Sequence, residues 1–245
     1  MQELTEIVNN LNSGEIRLIR KFYKMDDGNE NLKRLELFNL IKNGDILTNE
    51  EAVSKLYNSI KLDSKFSHLK TRLKNDILNI IIFHEGEMKY VSPFRQATFD
   101  CRKLIIKGDI LLSRGASTAG LNILNKAEKI ASKYQLASEQ IIISDLIRSH
   151  LGVRKGLYEY NKHTVTLEKQ LNILNHLLES KDLFNQISLP NAFFKNREKE
   201  YVATSRKAVE KLGKYYKSTD SAQIGFIYFY TGIYYNELGK SFDKA

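Results

Sequence analysis

The stretch that decides the fold is Phe226–Ala245, FIYFYTGIYYNELGKSFDKA. Phe226, Tyr228, Phe229, Tyr230, Tyr234 and Tyr235 crowd into ten residues. On a helix they fall on more than one side, and such a helix must be covered on more than one side. Further chain or another subunit is therefore expected over it. Gly232 and Gly239 stand seven residues apart, and the same spacing recurs at Gly108 and Gly115.

The rest of the chain agrees with an all-helical reading. It has 245 residues, enough for a sizeable core in one or two domains, and only 2 prolines. Apolar residues recur at helical spacing almost throughout. Leu4, Ile7, Val8 and Leu11 make a first stripe, and Asn12-Ser13-Gly14 breaks it before Ile16, Ile19 and Tyr23. Met25–Asn31 reads as a loop, followed by Leu32, Leu35, Phe38 and Ile41. Thr48 with Glu51 forms a capping-box pattern ahead of Ala52, Val53, Leu56 and Tyr57. Asp63-Ser64 offers an N-cap for a long helix through Leu73 and Ile80. His84–Pro93 has no periodicity and predicts a linker, so the domains are expected at 1–92 and 93–245. Beyond it the helices lengthen and pair, with breaks expected at Arg114-Gly115 and Leu189-Pro190 and a basic helix over about 196–217.

Charge and cysteine usage narrow the function classes. The net charge is +9. Residues 1–95 hold only one of those excess charges, and 96–160 and 161–245 hold four each. A nucleic-acid footprint is positive and concentrated, so the distribution argues against one. Cys101 is the only cysteine and reads as a small buried thiol. No apolar run is long enough to span a bilayer, and MQELTEIVNN lacks the basic start and apolar core of a signal peptide. A soluble cytoplasmic protein is expected, and the composition fits an AT-rich bacterial genome.

The glycine-spaced segments resemble tetratricopeptide repeats, helix hairpins of about 34 residues with small residues at the crossing. Gly232 matches the first-helix glycine, and Tyr228, Tyr235, Leu238 and Gly239 match the residues around it. The second helix would begin at Lys240, with Phe242 and Ala245 one position late, and Thr231 stands where leucine is usual. In the earlier unit Gly108, Gly115, Gly120, Leu124 and Ala127 fit, while Lys107 departs and Leu104 replaces an aromatic. A weaker unit runs through Leu146, Leu151 and Gly152 to about Ser180. It has no clear crossing glycine and an overlong second helix. The resemblance implies stacked antiparallel hairpins in a right-handed superhelix over about 98–245, preceded by a small helical region. The array is expected to continue past Ala245.

The family presents the first helix of each pair on a concave, peptide-binding surface. Carried over by position, its candidates here are Arg102, Ile105 and Asp109, then Phe229, Ile233 and Asn236. Lys207, Lys211 and Lys214 form a separate basic stripe suited to an anion or acidic peptide. No catalytic, cofactor or metal residues are expected. The histidines are scattered, none with another His or a Cys three or four residues away, and no phosphate loop occurs.

These features predict a non-enzymatic scaffold or sensing module for a protein or peptide, as the N-terminal part of a larger bacterial signalling or regulatory protein. Self-association through the aromatic helix is a further expectation. The alternative is a transcriptional regulator with a helix-turn-helix at about 48–78, carrying Lys65, His68, Lys70, Arg72 and Lys74 on its second helix.

Overall fold

The computed structural model describes residues 1–25, 28–58, 64–83, 91–193 and 199–238, with the backbone alone described at 83, 190–193, 199–204 and 236–238. These residues form eleven helices and no strand, so the chain is all-α. The chain divides into two compact units, Met1–Ser92 and Pro93–Ala245.

The first unit holds α1 (Gln2–Asn9), α2 (Ser13–Lys24), α3 (Asn29–Asn43), α4 (Asn49–Tyr57) and α5 (Ser64–Phe83). Its helix ends are set by local chemistry. Asn12 and Glu15 close a capping box, the Glu15 amide donating to Asn12 Oδ1 at 2.9 Å and the Asn12 amide to Glu15 Oε2 at 2.8 Å. Thr48 and Glu51 repeat the device at α4, as their spacing predicted. Gly44 ends α3 at φ +77°, a left-handed cap that costs glycine little.

Helix α3 is central, and α1, α2, α4 and α5 all lie against it. Its buried face is Leu37, Phe38 and Ile41, and α2 adds Ile19 and Tyr23 while α5 adds Phe66, Leu73 and Ile77. Each such side chain contributes about 1.5–3 kcal/mol on burial. The expected stripe is corrected at Leu32, which is exposed. Two residues on, on the opposite side of the helix, lies Arg34, whose guanidinium donates to Asp76 Oδ2 at 2.7 Å. The expected loop is also shorter than Met25–Asn31, because α3 already starts at Asn29.

The second unit holds α6 (Pro93–Ser113), α7 (Ser117–Lys133), α8 (Ala137–Lys155), α9 (Leu157–Phe193), α10 (Lys199–Thr219) and α11 (Ala222–Leu238). Short joins turn neighbours back on one another, giving the closely packed pairs α6–α7, α8–α9 and α10–α11. The α6–α7 crossing depends on two glycines. A Cβ on Gly108 would lie 2.7 Å from Leu124 Cγ, and one on Gly120 would lie 2.6 Å from Leu112 Cδ2. Cys101, Ile105, Leu124, Ala127, Ala131, Leu136, Ile143 and Ile147 build the core of this half.

Helix α9 changes the pattern. It runs 37 residues, about 55 Å at 1.5 Å per residue. Its start packs on α8, where Tyr160 lies against Gly152. That supplies the close-approach glycine the sequence had not marked in this pair. Its later part packs on α10 and α11. His176 stacks on Tyr215 at 4.2 Å, and Phe184 meets Tyr234 edge-on at 5.8 Å. The break expected at Leu189-Pro190 does not occur, and the helix goes on to Phe193. A proline removes one amide donor and kinks a helix, and here about one further turn follows it. The second helix expected from Lys240 lies outside the described residues.

Candidate functional site

The candidates carried over from the repeat pattern land in different environments. Arg102 Nε donates to Glu139 Oε1 at 2.8 Å. Glu139 is only 3% exposed while Arg102 is 57% exposed, so the arginine neutralises a buried carboxylate and ties α6 to α8. Ser138 Oγ donates to the other carboxylate oxygen at 2.7 Å. Ile105 is buried in the core, and Asp109 is exposed. Nearby Cys101 is also buried. Its Sγ donates to Ala127 O at 3.5 Å, and burial, then the Glu139 and Glu128 charges, push its thiol up to about 11.

On α11 the inner face carries Ile224 and Thr231, both buried. Thr231 occupies the position where the repeat pattern has leucine. Its hydroxyl donates to Ile227 O at 2.7 Å, which satisfies it inside the unit. Tyr228 and Tyr234 reach α10 and α9, where they meet Tyr216 and Phe184. The outer face is different. Phe226, Phe229 and Tyr230 are 63%, 58% and 40% exposed. Their rings touch one another, with Phe226–Tyr230 centroids at 4.4 Å and Phe229–Tyr230 at 5.7 Å. Ile233 is half-buried, and the Asn236 side chain lies outside the described residues. No described atom lies within 4 Å of a Cβ built on Gly232, and the second helix it would cross, expected from Lys240, lies outside the described residues.

The basic stripe on α10 is divided. Lys207 and Lys214 are exposed. Lys211, between them, pairs with Glu179 of α9 at 3.1 Å. The Tyr215 hydroxyl donates to the same carboxylate. These two hydrogen bonds, Tyr215 first, hold Glu179 below the usual carboxylate range. Hydrogen bonds with Tyr215 and then Glu179 hold Lys211 above the usual lysine range. The centre of the stripe is therefore already neutralised.

The first unit contains a cleft of about 470 Å³ between the start of α3, the end of α4 and the first half of α5. Among the described residues Lys33, Arg34, Lys65, His68 and Arg72 line it, together with the Glu30 carboxylate and with Tyr57 and Leu69 as apolar wall. Lys33 Nζ sits 4.1 Å above the centroid of the Tyr57 ring. Glu30 Oε2 lies 2.5 Å from Arg72 and 3.8 Å from Arg34. Behind Arg34, Asp76 also accepts from the Tyr23 hydroxyl at 2.8 Å. Burial, then that hydrogen bond, pushes the Tyr23 phenol far up from its ordinary value.

Three of these residues, Lys65, His68 and Arg72, were singled out in sequence as part of a recognition helix. Lys33, Arg34 and Tyr57 were not, because nothing in their spacing says that α3 and α4 meet α5 there. The segment 48–78 does form helices α4 and α5, but both lie against α3. Much of the expected basic face is used internally: Lys70 donates to Asn49 Oδ1 at 3.2 Å, Lys74 pairs with Glu3 at 3.2 Å, and Arg72 pairs with Glu30. The join at 59–63 lies outside the described residues.

Among the described residues no group of three His, Cys, Asp or Glu side chains is placed to hold a metal ion, and no helix is long and apolar enough to cross a membrane. No protein-family model, no curated protein and no solved structure matches this chain.

Proposed function

We propose that this chain is a non-enzymatic, cytoplasmic interaction module whose second unit is a tetratricopeptide-like array that holds a peptide or protein segment. Support for the array comes from the successive pairs α6–α7, α8–α9 and α10–α11 and from the reciprocal Gly108–Gly120 crossing. The observation that carries the binding reading is the exposed ring cluster of Phe226, Phe229 and Tyr230. Rigid aromatic side chains on an ordered helix supply large contact area at little entropic cost, and such residues dominate binding energy at interfaces. The regulator reading has less support, because α4 and α5 both lie against α3 and residues 1–95 carry a net excess of only one positive charge.

The test is selection of peptides from a displayed random library on the full chain, followed by affinity measurement on the variants. Phe229→Ala, at the measured cost of interface anchors of about 2 kcal/mol or more, weakens the selected peptides by roughly 30-fold. Asp109→Ala serves as a milder probe on α6. Failure to select any peptide, or affinities that ignore the α11 rings, sinks the reading.

A further inference from the structure

We infer that the cleft of the first unit is a binding site for a small phosphorylated molecule, and that the Glu30 carboxylate occupies the anion's seat when that molecule is absent. Among the described lining residues are four cations, Lys33, Arg34, Lys65 and Arg72, and one carboxylate, Glu30, with Asp76 engaging Arg34 from behind. That surplus suits a multiply charged anion better than a single carboxylate. Its helical positions suit one too. Asn29 and Glu30, in the first turn of the 15-residue α3, form part of the wall, where the helix dipole favours negative charge.

The place-holder is visible in the contacts. Glu30 lies between two guanidinium groups, 2.5 Å from Arg72 and 3.8 Å from Arg34. Arginine forks bind carboxylate and phosphate in the same geometry, so a phosphoryl group and Glu30 compete for one position. Displacement is easy, because Glu30 and Arg72 are 69% and 59% exposed, and exposed pairs hold with only about 0–1 kcal/mol. Arg34 has a further donor to offer. Its Nε is buried with no hydrogen-bond partner among the described residues. In folded proteins such a donor is uncommon and asks for an acceptor.

Size and charge select a small ligand over a nucleic acid. A volume of about 470 Å³ falls within the usual range for small-molecule sites. It exceeds what one phosphate fills, which leaves room for an organic body against Tyr57 and Leu69. Residues 1–95 carry a net excess of only one positive charge, too little for the extended footprint a duplex requires.

The experiment is calorimetric titration of the full chain with inorganic pyrophosphate at fixed ionic strength. Saturable one-to-one binding is expected. Lys65→Ala and Arg72→Ala weaken it tenfold or more, and Glu30→Gln tightens it at least threefold. Lys207→Ala, in the second unit, leaves it unchanged. Melting temperatures of the variants establish that each is folded, and Lys65 and Arg72 are exposed enough for that to hold. No binding, binding indifferent to the cleft variants, or weaker binding in Glu30→Gln overturns the inference. A short DNA duplex is the comparison arm. If it binds more tightly than pyrophosphate and depends on the same residues, the ligand class is wrong and the inference fails.

Discussion

At the scale of residues, two glycines that look alike in sequence differ in the described atoms around them. Gly108 and Gly232 fill the same position of the repeat pattern. A methyl group on Gly108 would come within 2.7 Å of Leu124 Cγ and 3.3 Å of the Gly120 carbonyl oxygen. Leu124 is fully buried and cannot swing aside. Gly108→Ala therefore destabilises by about 1–3 kcal/mol through overpacking. Gly232→Ala meets no described atom and gains up to about 1 kcal/mol from helix propensity. Chemical denaturation of the two variants should move in opposite directions, and equal losses would place Gly232 at a crossing after all. Arg102 shows the same limit of sequence reading, since periodicity gives its helix but not its partner thirty-seven residues on. Arg102→Ala removes the cation from the buried Glu139 carboxylate and leaves it the Ser138 hydroxyl, at a cost of about 1–3 kcal/mol. If Arg102 serves only a ligand, stability stays unchanged and this assignment is wrong.

Tyr23 gives a pH dependence at the same scale. Its phenol is held far above the ordinary value by burial and then by Asp76. In the unfolded chain it ionises near pH 10, while in the folded chain it stays neutral. Stability from this group is therefore complete below about pH 10 and falls as pH rises beyond it. Tyr23→Phe loses about 1 kcal/mol at neutral pH, one hydrogen bond's worth, but flattens the alkaline limb. Parallel alkaline unfolding curves for the two proteins would contradict this. Glu51 works in the acid direction. The Leu47 amide first, then that of Thr48, hold its carboxyl below the usual range. Its contribution is present above the ordinary carboxylate pKa and is lost as pH falls through the depressed value.

At the scale of elements, helix starts were the most legible feature, because a cap is a contact over three residues. The Thr48–Glu51 box could be read from four letters, and the structure has both of its hydrogen bonds. Thr48→Ala should cost about 0.5–2 kcal/mol, measurable by denaturation of the full chain. Helix interiors and ends were less legible. Leu189-Pro190 looked like a break, since proline lacks the amide that a helix needs. What decides the outcome is tertiary: α9 just before that point is packed on α10 and α11 through Leu183, Ile187, Ala208 and Tyr234. A stripe reading also fails where a polar side chain takes a core position. Leu32 is exposed and Arg34 largely buried because Asp76 on α5 neutralises the arginine. No local pattern encodes a partner forty-two residues away.

At the scale of the whole molecule, the all-helical class was legible from composition and period, whereas the cleft was not. Its cations come from α3 and α5, and their convergence depends on both helices packing into the first unit. The aromatic helix was expected to be covered on more than one side, and the structure divides its rings between an inner set packed on α9 and α10 and an outer exposed set. The second unit carries its own reporter of opening. Cys101 is the chain's single cysteine, fully buried beside Ala127, with its thiol pushed up to about 11. Reaction requires a thiolate and access, and the native fold withholds both. A thiol reagent at neutral pH should therefore label Cys101 only through opening of α6 and α7, in proportion to the open population. Arg102→Ala weakens the tie between α6 and α8 next to Cys101, so it should speed labelling by about the factor its stability loss implies, roughly tenfold per 1.4 kcal/mol. Burst labelling of the native protein, or a rate unmoved by that substitution, would show that Cys101 is reached by a route other than separation of these helices.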